Sequence, residues 1–212
     1  MEDIIEALKW RYAVKRFNPE KKLKDDQIDR LLEGLALTAT SMGLQLMEFL
    51  VISNPDLKEQ LKPLAFNQPQ IDESSHLIVM CRKTSVSVAD IDSLIQLSVD
   101  KRNLDPNADN VKGYEKMLKS TLQMPANQQQ VWMDNQVYIA MGNLMTICAV
   151  EKIDACPMEG FDRNKVDQLL GLPQKGLQSV LICALGYRSV EDKYQHLAKI
   201  RRPKKSLVTY IK

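Results

Sequence analysis

Apolar residues along the chain fall into blocks whose spacing switches between the helical and the strand repeat. Ile4, Ile5, Leu8 and Tyr12 recur at helical spacing and predict a first helix over residues 2–10 with one apolar face. Asp25 is placed to cap a second helix carrying Ile28, Leu31, Leu32 and Leu35. Residues 46–53 predict a strand, and Asn54 is placed to cap a short helix from 55 to about 64. Residues 76–81 (His-Leu-Ile-Val-Met-Cys) are almost continuously apolar, as in a strand covered on both faces. Helices are predicted over 88–99 and 111–122, around a loop at 105–110. Met-Pro-Ala-Asn at 124–127 then breaks the chain before a long helix over about 128–151. The second half of that helix is apolar nearly all round, which places it at the centre of the molecule or in a subunit interface. Pro157 and Gly160 mark residues 153–161 as a loop with exposed backbone donors. A short helix at 163–170 and a strand at 177–187 follow, and 206–211 alternates weakly, as an edge strand would. Three long strands interspersed with helices, with no repeat and no linker, predict a single α+β domain over residues 1–212. An extended tail ending in an edge strand invites pairing across a dimer.

Composition narrows the class. With 212 residues and 44% apolar content the chain can bury a substantial core. A formal charge of +2 argues against a broad basic face dedicated to nucleic acid. The four cysteines (81, 148, 156, 183) form no CxxC pair and sit mostly among apolar neighbours, as reduced, buried thiols of a cytoplasmic protein do. Two distant histidines, 76 and 196, argue against a zinc site. The acidic start Met-Glu-Asp-Ile-Ile-Glu shows no signal peptide, and the apolar run 137–150 is shorter than the roughly 20 residues that span a bilayer, so no membrane association is expected.

The most conspicuous candidate for chemistry is Arg-Tyr-Ala-Val-Lys-Arg-Phe at 11–17, closing the first helix. Its three cations suit a solvated helix end, where positive charge is favoured. Taken alone the stretch favours that reading; the sharper one is an anion cradle for a phosphate-bearing cofactor, with arginine as a bidentate fork and lysine as a point charge. The small and hydroxyl residues at 38–43 form either an ordinary loop or a set of donors for a phosphate or ring. No GxGxxG follows a strand, and GxxxxGK[ST], GxSxG and a Ser-His-Asp or Cys-His arrangement are all missing. A cofactor enzyme remains open, because the cofactor carries the hard chemistry and needs few catalytic side chains.

Several separated segments, in order, carry a family resemblance. They are Asp-Ile-Ile-Glu-Ala-Leu-Lys-Trp-Arg-Tyr-Ala-Val-Lys at 3–15, Ser-Met-Gly-Leu-Gln at 41–45, Phe66-Asn67 ahead of Ser75-His76, and Gln-Val-Tyr-Ile-Ala-Met-Gly-Asn at 136–143. They continue with Asp-Ala-Cys-Pro-Met-Glu-Gly-Phe-Asp at 154–162, Gly-Tyr-Arg-Ser-Val-Glu-Asp at 186–192 and Lys-Ile-Arg-Arg-Pro at 199–203. Over nearly its whole length the chain resembles the FMN-dependent nitroreductases, in their oxygen-insensitive NAD(P)H branch. The resemblance implies a mainly antiparallel sheet flanked by helices, and a homodimer whose C-terminal extension adds a strand to the partner. It implies FMN as cofactor, NAD(P)H as donor, and a nitroaromatic or quinone acceptor, in ping-pong hydride transfer without a catalytic side chain. Arg11, Tyr12, Ala13 and Lys15 would line one side of FMN, with Arg11 at the phosphate and Lys15 at the pyrimidine end of the ring. Asn67 would bind that same end. Pro157, Met158, Glu159 and Gly160 would pass across one face. Lys199 and Arg201 would complete the phosphate site, and Thr40, Ser41 and Gly43 would come from the partner.

The chain departs from the family pattern at several of these positions. Gln70 stands where many relatives carry a second lysine, Ala13 where serine is frequent, and 39–41 reads Ala-Thr-Ser in place of Pro-Ser-Ser. Leu46 and Met47 replace a proline and an aromatic, and the region of Met117 and Leu118 lacks aromatics found in some relatives. Other FMN chemistry of the same fold, such as dihydropteridine reduction or reductive dehalogenation, is the alternative. A non-catalytic flavin-binding or flavin-free dimer, contacting nucleic acid through 199–205, is a third reading that the small net charge disfavours.

Overall fold

In the computed structural model, which describes residues 3–212, the fold is built around β4 (Leu177–Gly186), buried at every position but Gln178. It pairs antiparallel with β2 (His76–Lys83) on one side and β3 (Asp154–Met158) on the other. β1 (Met47–Ile52) pairs antiparallel with the far side of β2, giving the order β1-β2-β4-β3. The two central strands are the most continuously apolar, because helices cover both faces of the sheet.

Side-chain alternation sorts β2 and β4 onto the two faces. Ile78, Met80, Val180, Leu181 and Cys183 meet α7 (Ala126–Val150) through Val137, Ala140, Met141 and Leu144, and α2 (Asp25–Ala36) through Leu31 and Leu35. Leu77, Val79, Ile182 and Ala184 meet Leu61 of α3 (Pro55–Leu64), Val166 of α8 (Arg163–Leu169), and Val14 and Phe17. A smaller lobe of α5 (Val88–Arg102) and α6 (Asp109–Lys119) closes over Leu44, Leu46, Ile91, Leu118 and Met133. All four cysteines are buried and free. Among the described residues no helix is long and apolar enough to cross a membrane.

Several boundaries differ from the sequence expectation. Residues 154–158, expected within a loop, are a fourth strand; β3 ends the sheet, and proline is tolerated where one row of backbone donors needs no strand partner. α1 (Ile4–Trp10) starts after Asp3, whose carboxylate accepts the Ile5 N–H at 2.9 Å, and Glu2 lies outside the described residues. Its apolar face is uncovered: Ala7 is buried, whereas Ile4, Ile5 and Leu8 are exposed. Asp25 lies inside the first turn of α2, and the cap is one residue earlier, where the Lys24 N–H donates to Gln27 Oε1 at 3.1 Å. Asn54 caps α3 as expected, accepting from the Leu57 N–H at 2.8 Å. α5 runs on to Arg102 and stops at the left-handed Asn103, and α6 begins inside the stretch expected as loop. Residues 206–211 pair with no strand among the described residues.

Gly186, at the end of β4, abuts Phe17. A Cβ there would lie 3.0 Å from Phe17 Cδ1 and 3.1 Å from the Ser75 backbone nitrogen. Gly186→Ala is therefore expected to destabilise the fold by about 1–3 kcal/mol, the usual cost of overpacking, measured by urea denaturation.

Candidate functional site

The basic stretch 11–17 is laid down as extra backbone at the β3 edge of the sheet. Helix α1 ends at Trp10, and Arg11 turns to extended backbone (φ −69°, ψ 143°). Ala13 bridges in parallel to Ala155, and Phe17 bridges antiparallel to Arg188. The Asn18 N–H donates to the Tyr187 carbonyl at 2.8 Å, and the Ser189 N–H to the Arg16 carbonyl at 2.9 Å. Val14 and Phe17 are driven into the core, while Arg11, Ala13 and Lys15, two residues apart along an extended chain, stay half-buried and line a cleft of about 490 Å³. The opposite wall comes from residues 194–201 and includes Tyr194, Lys199 and Arg201.

One carboxylate joins these walls. Asp192 is 1% exposed. Its Oδ2 accepts from the Lys15 N–H at 2.7 Å, the Arg16 N–H at 3.2 Å and the Tyr12 hydroxyl at 3.1 Å, and its Oδ1 accepts from the Tyr194 N–H at 2.9 Å. Burial by itself would raise its pKa, but these donors outweigh burial and hold the group below the ordinary carboxylate value. The Tyr12 hydroxyl is pushed well above the usual phenol range, by burial first and then by the Asp192 charge. A second buried carboxylate, Asp154, takes a fork from Arg188 (Nη2–Oδ1 2.6 Å, Nε–Oδ1 2.9 Å). The same guanidinium lies 4.3 Å from the Trp10 ring centroid and 4.6 Å from that of Tyr12, fixing the aromatics on either side of Arg11.

The cations divide by their partners. Arg16 pairs with Glu73 at 2.8 Å and faces solvent. Arg11, Lys199 and Arg201 converge without a carboxylate partner among the described residues. Arg11 is held below the usual guanidinium value by burial and then by the like charge of Arg201; Lys199 is lowered by burial, then by Arg11 and Arg201. Lys199 also caps α1, donating to the Leu8 carbonyl at 2.6 Å and to the Arg11 carbonyl. Its ammonium therefore keeps one of three donors for a ligand. Converging cations with no carboxylate partner among the described residues form a site that an anion stabilises.

Past Lys15 the groove continues into a second cleft of about 470 Å³, lined in part by Gln68, Pro69 and Gln70. Gln68 ties this wall to the neighbouring loop, its Nε2 donating to the carbonyls of Ala65 (3.0 Å) and Gly160 (2.7 Å). Phe66 and Asn67 between them both adopt left-handed backbone (φ 54° each), and Asn67 is exposed. Pro157 and Glu159 line a third cleft of about 450 Å³ against Tyr138, Met141 and Met145 of α7. The Tyr138 hydroxyl is raised by burial and then by a hydrogen bond to Glu159. Met158 is buried in the core, so it presents only backbone to any ligand.

The structure thus brings Arg11, Tyr12, Ala13, Lys15, Lys199 and Arg201 to one cleft, with Gln70 in the next; Asn67 and Gly160 lie on the loops tied by Gln68. It does not bring Thr40, Ser41 and Gly43 to that cleft. They belong to a separate loop, held by a 2.7 Å bond from the Ser41 N–H to Gln136 Oε1 and by Tyr114, whose hydroxyl donates to the Met42 carbonyl at 2.7 Å. Two buried polar atoms in these segments, Thr40 Oγ1 and Gln70 Oε1, have no partner among the described residues. Sequence reasoning missed Asp192, Gln68 and Tyr138 as organisers of the site. Asp192 sits in a polar stretch where nothing local signals that its carboxylate is buried.

A family model described as "Nitroreductase family" matches residues 8–187 and stops short of the wall at 194–201. The oxygen-insensitive NAD(P)H nitroreductase of Salmonella typhimurium is 31% identical over 217 residues, covering 99% of this chain and 100% of that one. A nitroreductase-like protein of Streptococcus mutans superposes with a TM-score of 0.84 at 22% identity, covering 98% of both chains. A protein of Exiguobacterium sibiricum solved in complex with FMN gives a TM-score of 0.83 at 20% identity, covering 100% of this chain and 98% of that one. The two structural likenesses show a shared fold.

Because the folded pKa of Asp192 lies below its unfolded value, its contribution to stability is complete above the unfolded value of about 3.9 and is lost as pH falls through the folded one. Asp192→Asn is expected to cost about 1.5–3 kcal/mol at pH 7, the range for a hydrogen bond to a charged group, and to flatten the acid limb of stability against pH. Chemical denaturation between pH 3 and 7 checks both.

Proposed function

The chain belongs to the nitroreductase family, and from that premise we propose that it is an FMN-dependent oxidoreductase using NAD(P)H to reduce nitroaromatic or quinone acceptors. The observation that carries the reading is the convergence of Arg11, Lys199 and Arg201, with no carboxylate partner among the described residues, at one end of a groove that runs past Lys15. A phosphate at neutral pH carries nearly two negative charges and would relieve the mutual repulsion of those cations. The unpartnered Gln70 amide oxygen at the other end suits a ligand with a polar ring edge.

FMN, when bound, would supply the hydride-transfer chemistry between the nicotinamide and the acceptor. The residues of this chain bind and orient. Arg11, one free donor of Lys199, and Arg201 would hold the phosphate. Lys15 would place positive charge at the pyrimidine end, where it would favour the reduced ring. The backbone N–H groups of Glu159 and Gly160 would orient the ring, so no side-chain acid is required for that task, and Gln68 ties that loop. No protein nucleophile is required.

The reading includes a homodimer. The uncovered Ile4, Ile5 and Leu8 of α1, the exposed Val131, Tyr138 and Ile139 of α7, and the exposed tail residues Leu207, Tyr210 and Ile211 are apolar surface that a second copy would bury. Thr40, Ser41 and Gly43, remote from the cation cleft of their own chain, would then complete the cleft of the other.

The purified protein is expected to be yellow, or to become so with FMN. Its flavin absorbance should bleach with NADH or NADPH and return with a quinone or nitroaromatic. A colourless protein that cannot be reconstituted would overturn the reading. Arg11→Ala is expected to weaken FMN affinity by about 1.5–3 kcal/mol, read by fluorescence titration.

A further inference from the structure

Gln68 stands between α3 and the one-turn helix α4 (Gln70–Glu73), half-buried in the wall of the groove it shares with Lys15. Its backbone N–H donates to the Ala65 carbonyl at 3.1 Å. Its side-chain Nε2 donates to that same carbonyl at 3.0 Å and to the Gly160 carbonyl at 2.7 Å. The amide therefore bridges the C-terminal end of α3 and the loop after β3. A second bond supports the same junction, from the Asp162 N–H to the Leu64 carbonyl at 2.8 Å. The fit is close, since a Cβ on Gly160 would lie 3.2 Å from Gln68 Nε2.

The Gln68 bond orients more than one carbonyl. A peptide unit is planar and trans, so its C=O and N–H point in opposite directions. The Gly160 carbonyl shares its unit with the Phe161 N–H, which donates to the Glu159 carbonyl at 3.0 Å. The Glu159 carbonyl in turn shares its unit with the Gly160 N–H. Holding the first carbonyl thus holds both units in series, across a glycine, the residue with the widest backbone freedom. The Gly160 N–H ends the series and donates to no group among the described residues. Gly160 is exposed, with Gln68 of one cleft against it and Glu159 of another beside it in the chain.

We propose that Gln68 is a positioning residue for the bound flavin: it holds the Gly160 peptide so that the Gly160 N–H donates to a carbonyl oxygen at the edge of the ring. The inference rests on the functional reading above and deepens it. A ring carbonyl gains negative charge on two-electron reduction. A donor fixed in advance stabilises that charge without the reorganisation a loose loop would need, so it favours the reduced form over the oxidised one. The task requires a side chain that gives hydrogens to two carbonyls at once, which an amide does and a carboxylate or thioether does not. Gln68 does it without adding charge beside the ring.

The test compares wild type with Gln68→Met, which keeps the length and removes the donors. Gln68→Asn, which keeps the amide but is one methylene too short to span both carbonyls, takes its place if the Met variant does not fold. In the flavin-free protein, hydrogen exchange at the Phe161 amide is expected to speed on the order of fivefold in the variant, as loss of one hydrogen bond allows. In the FMN-loaded protein, the midpoint potential of the flavin, read by equilibration with reference dyes, is expected to fall. A merely structural role for Gln68 would lower the melting temperature and leave that potential unmoved. Unchanged exchange at Phe161, or an unmoved or raised potential, would overturn the assignment, while a flavin-loaded wild type leaves the functional reading standing. A wild type that takes up no FMN overturns both.

Discussion

The carboxylate of Asp192 holds the candidate site against its own charge. Arg11, Lys199 and Arg201 repel one another through their side-chain charges, and of the three only Lys199, by donating to the Leu8 and Arg11 carbonyls, reaches across to the other wall of the cleft. Asp192 does so through backbone, accepting from Lys15 and Arg16 on one wall and from Tyr194 on the other, with the Tyr12 hydroxyl as a fourth donor. Its negative charge is neutralised by dipoles and not by the cations, so the guanidinium and ammonium groups stay available. A carboxylate ion-paired directly to Arg11 would have been a competitor for any anionic ligand.

The same separation of tasks recurs around the cleft. Arg188 and Asp154 neutralise one another and position Trp10 and Tyr12. Arg16 and Glu73 neutralise one another at the surface. A net charge of +2 therefore conceals a local excess of positive charge, because the pairing is uneven along the chain. Backbone strain is distributed unevenly too. Consecutive left-handed residues at Phe66 and Asn67, costly for side chains with a Cβ, occur where the Gln68 amide must reach the Gly160 carbonyl.

Edge position explains most of what the β3 region does. β3 closes the sheet, which admits Pro157 and leaves room for residues 11–17 alongside. The stretch therefore has one side buried through Val14 and Phe17 and the other open through Arg11 and Lys15. A central strand would have buried both sides and left no room for charge.

Sequence alone determined the central elements and the candidate residues. The apolar runs at 76–81 and 177–187 read as strands, the first as one covered on both faces, and the long apolar helix before residue 151 reads as lying at the centre of the molecule or in a subunit interface; in the fold it packs across those strands. The family segments named Arg11, Lys15, Lys199 and Arg201 before any geometry, and those four line one cleft. What tertiary structure alone decided is which polar groups partner which. Residues 154–158 read as a loop because Pro157 and Gly160 dominate local propensity, yet pairing with β4 makes a strand. Arg11 and Arg16 belong to the same basic stretch, but of the two only Arg16 has a carboxylate partner among the described residues, Glu73, 57 residues away. Lys199 caps a helix 191 residues upstream of it, and Asp192 is buried by walls that meet only in the folded chain. Hydrophobic periodicity is a local property and is written along the chain. Charge neutralisation depends on distances of a few ångströms between segments far apart in sequence, and only the fold sets those.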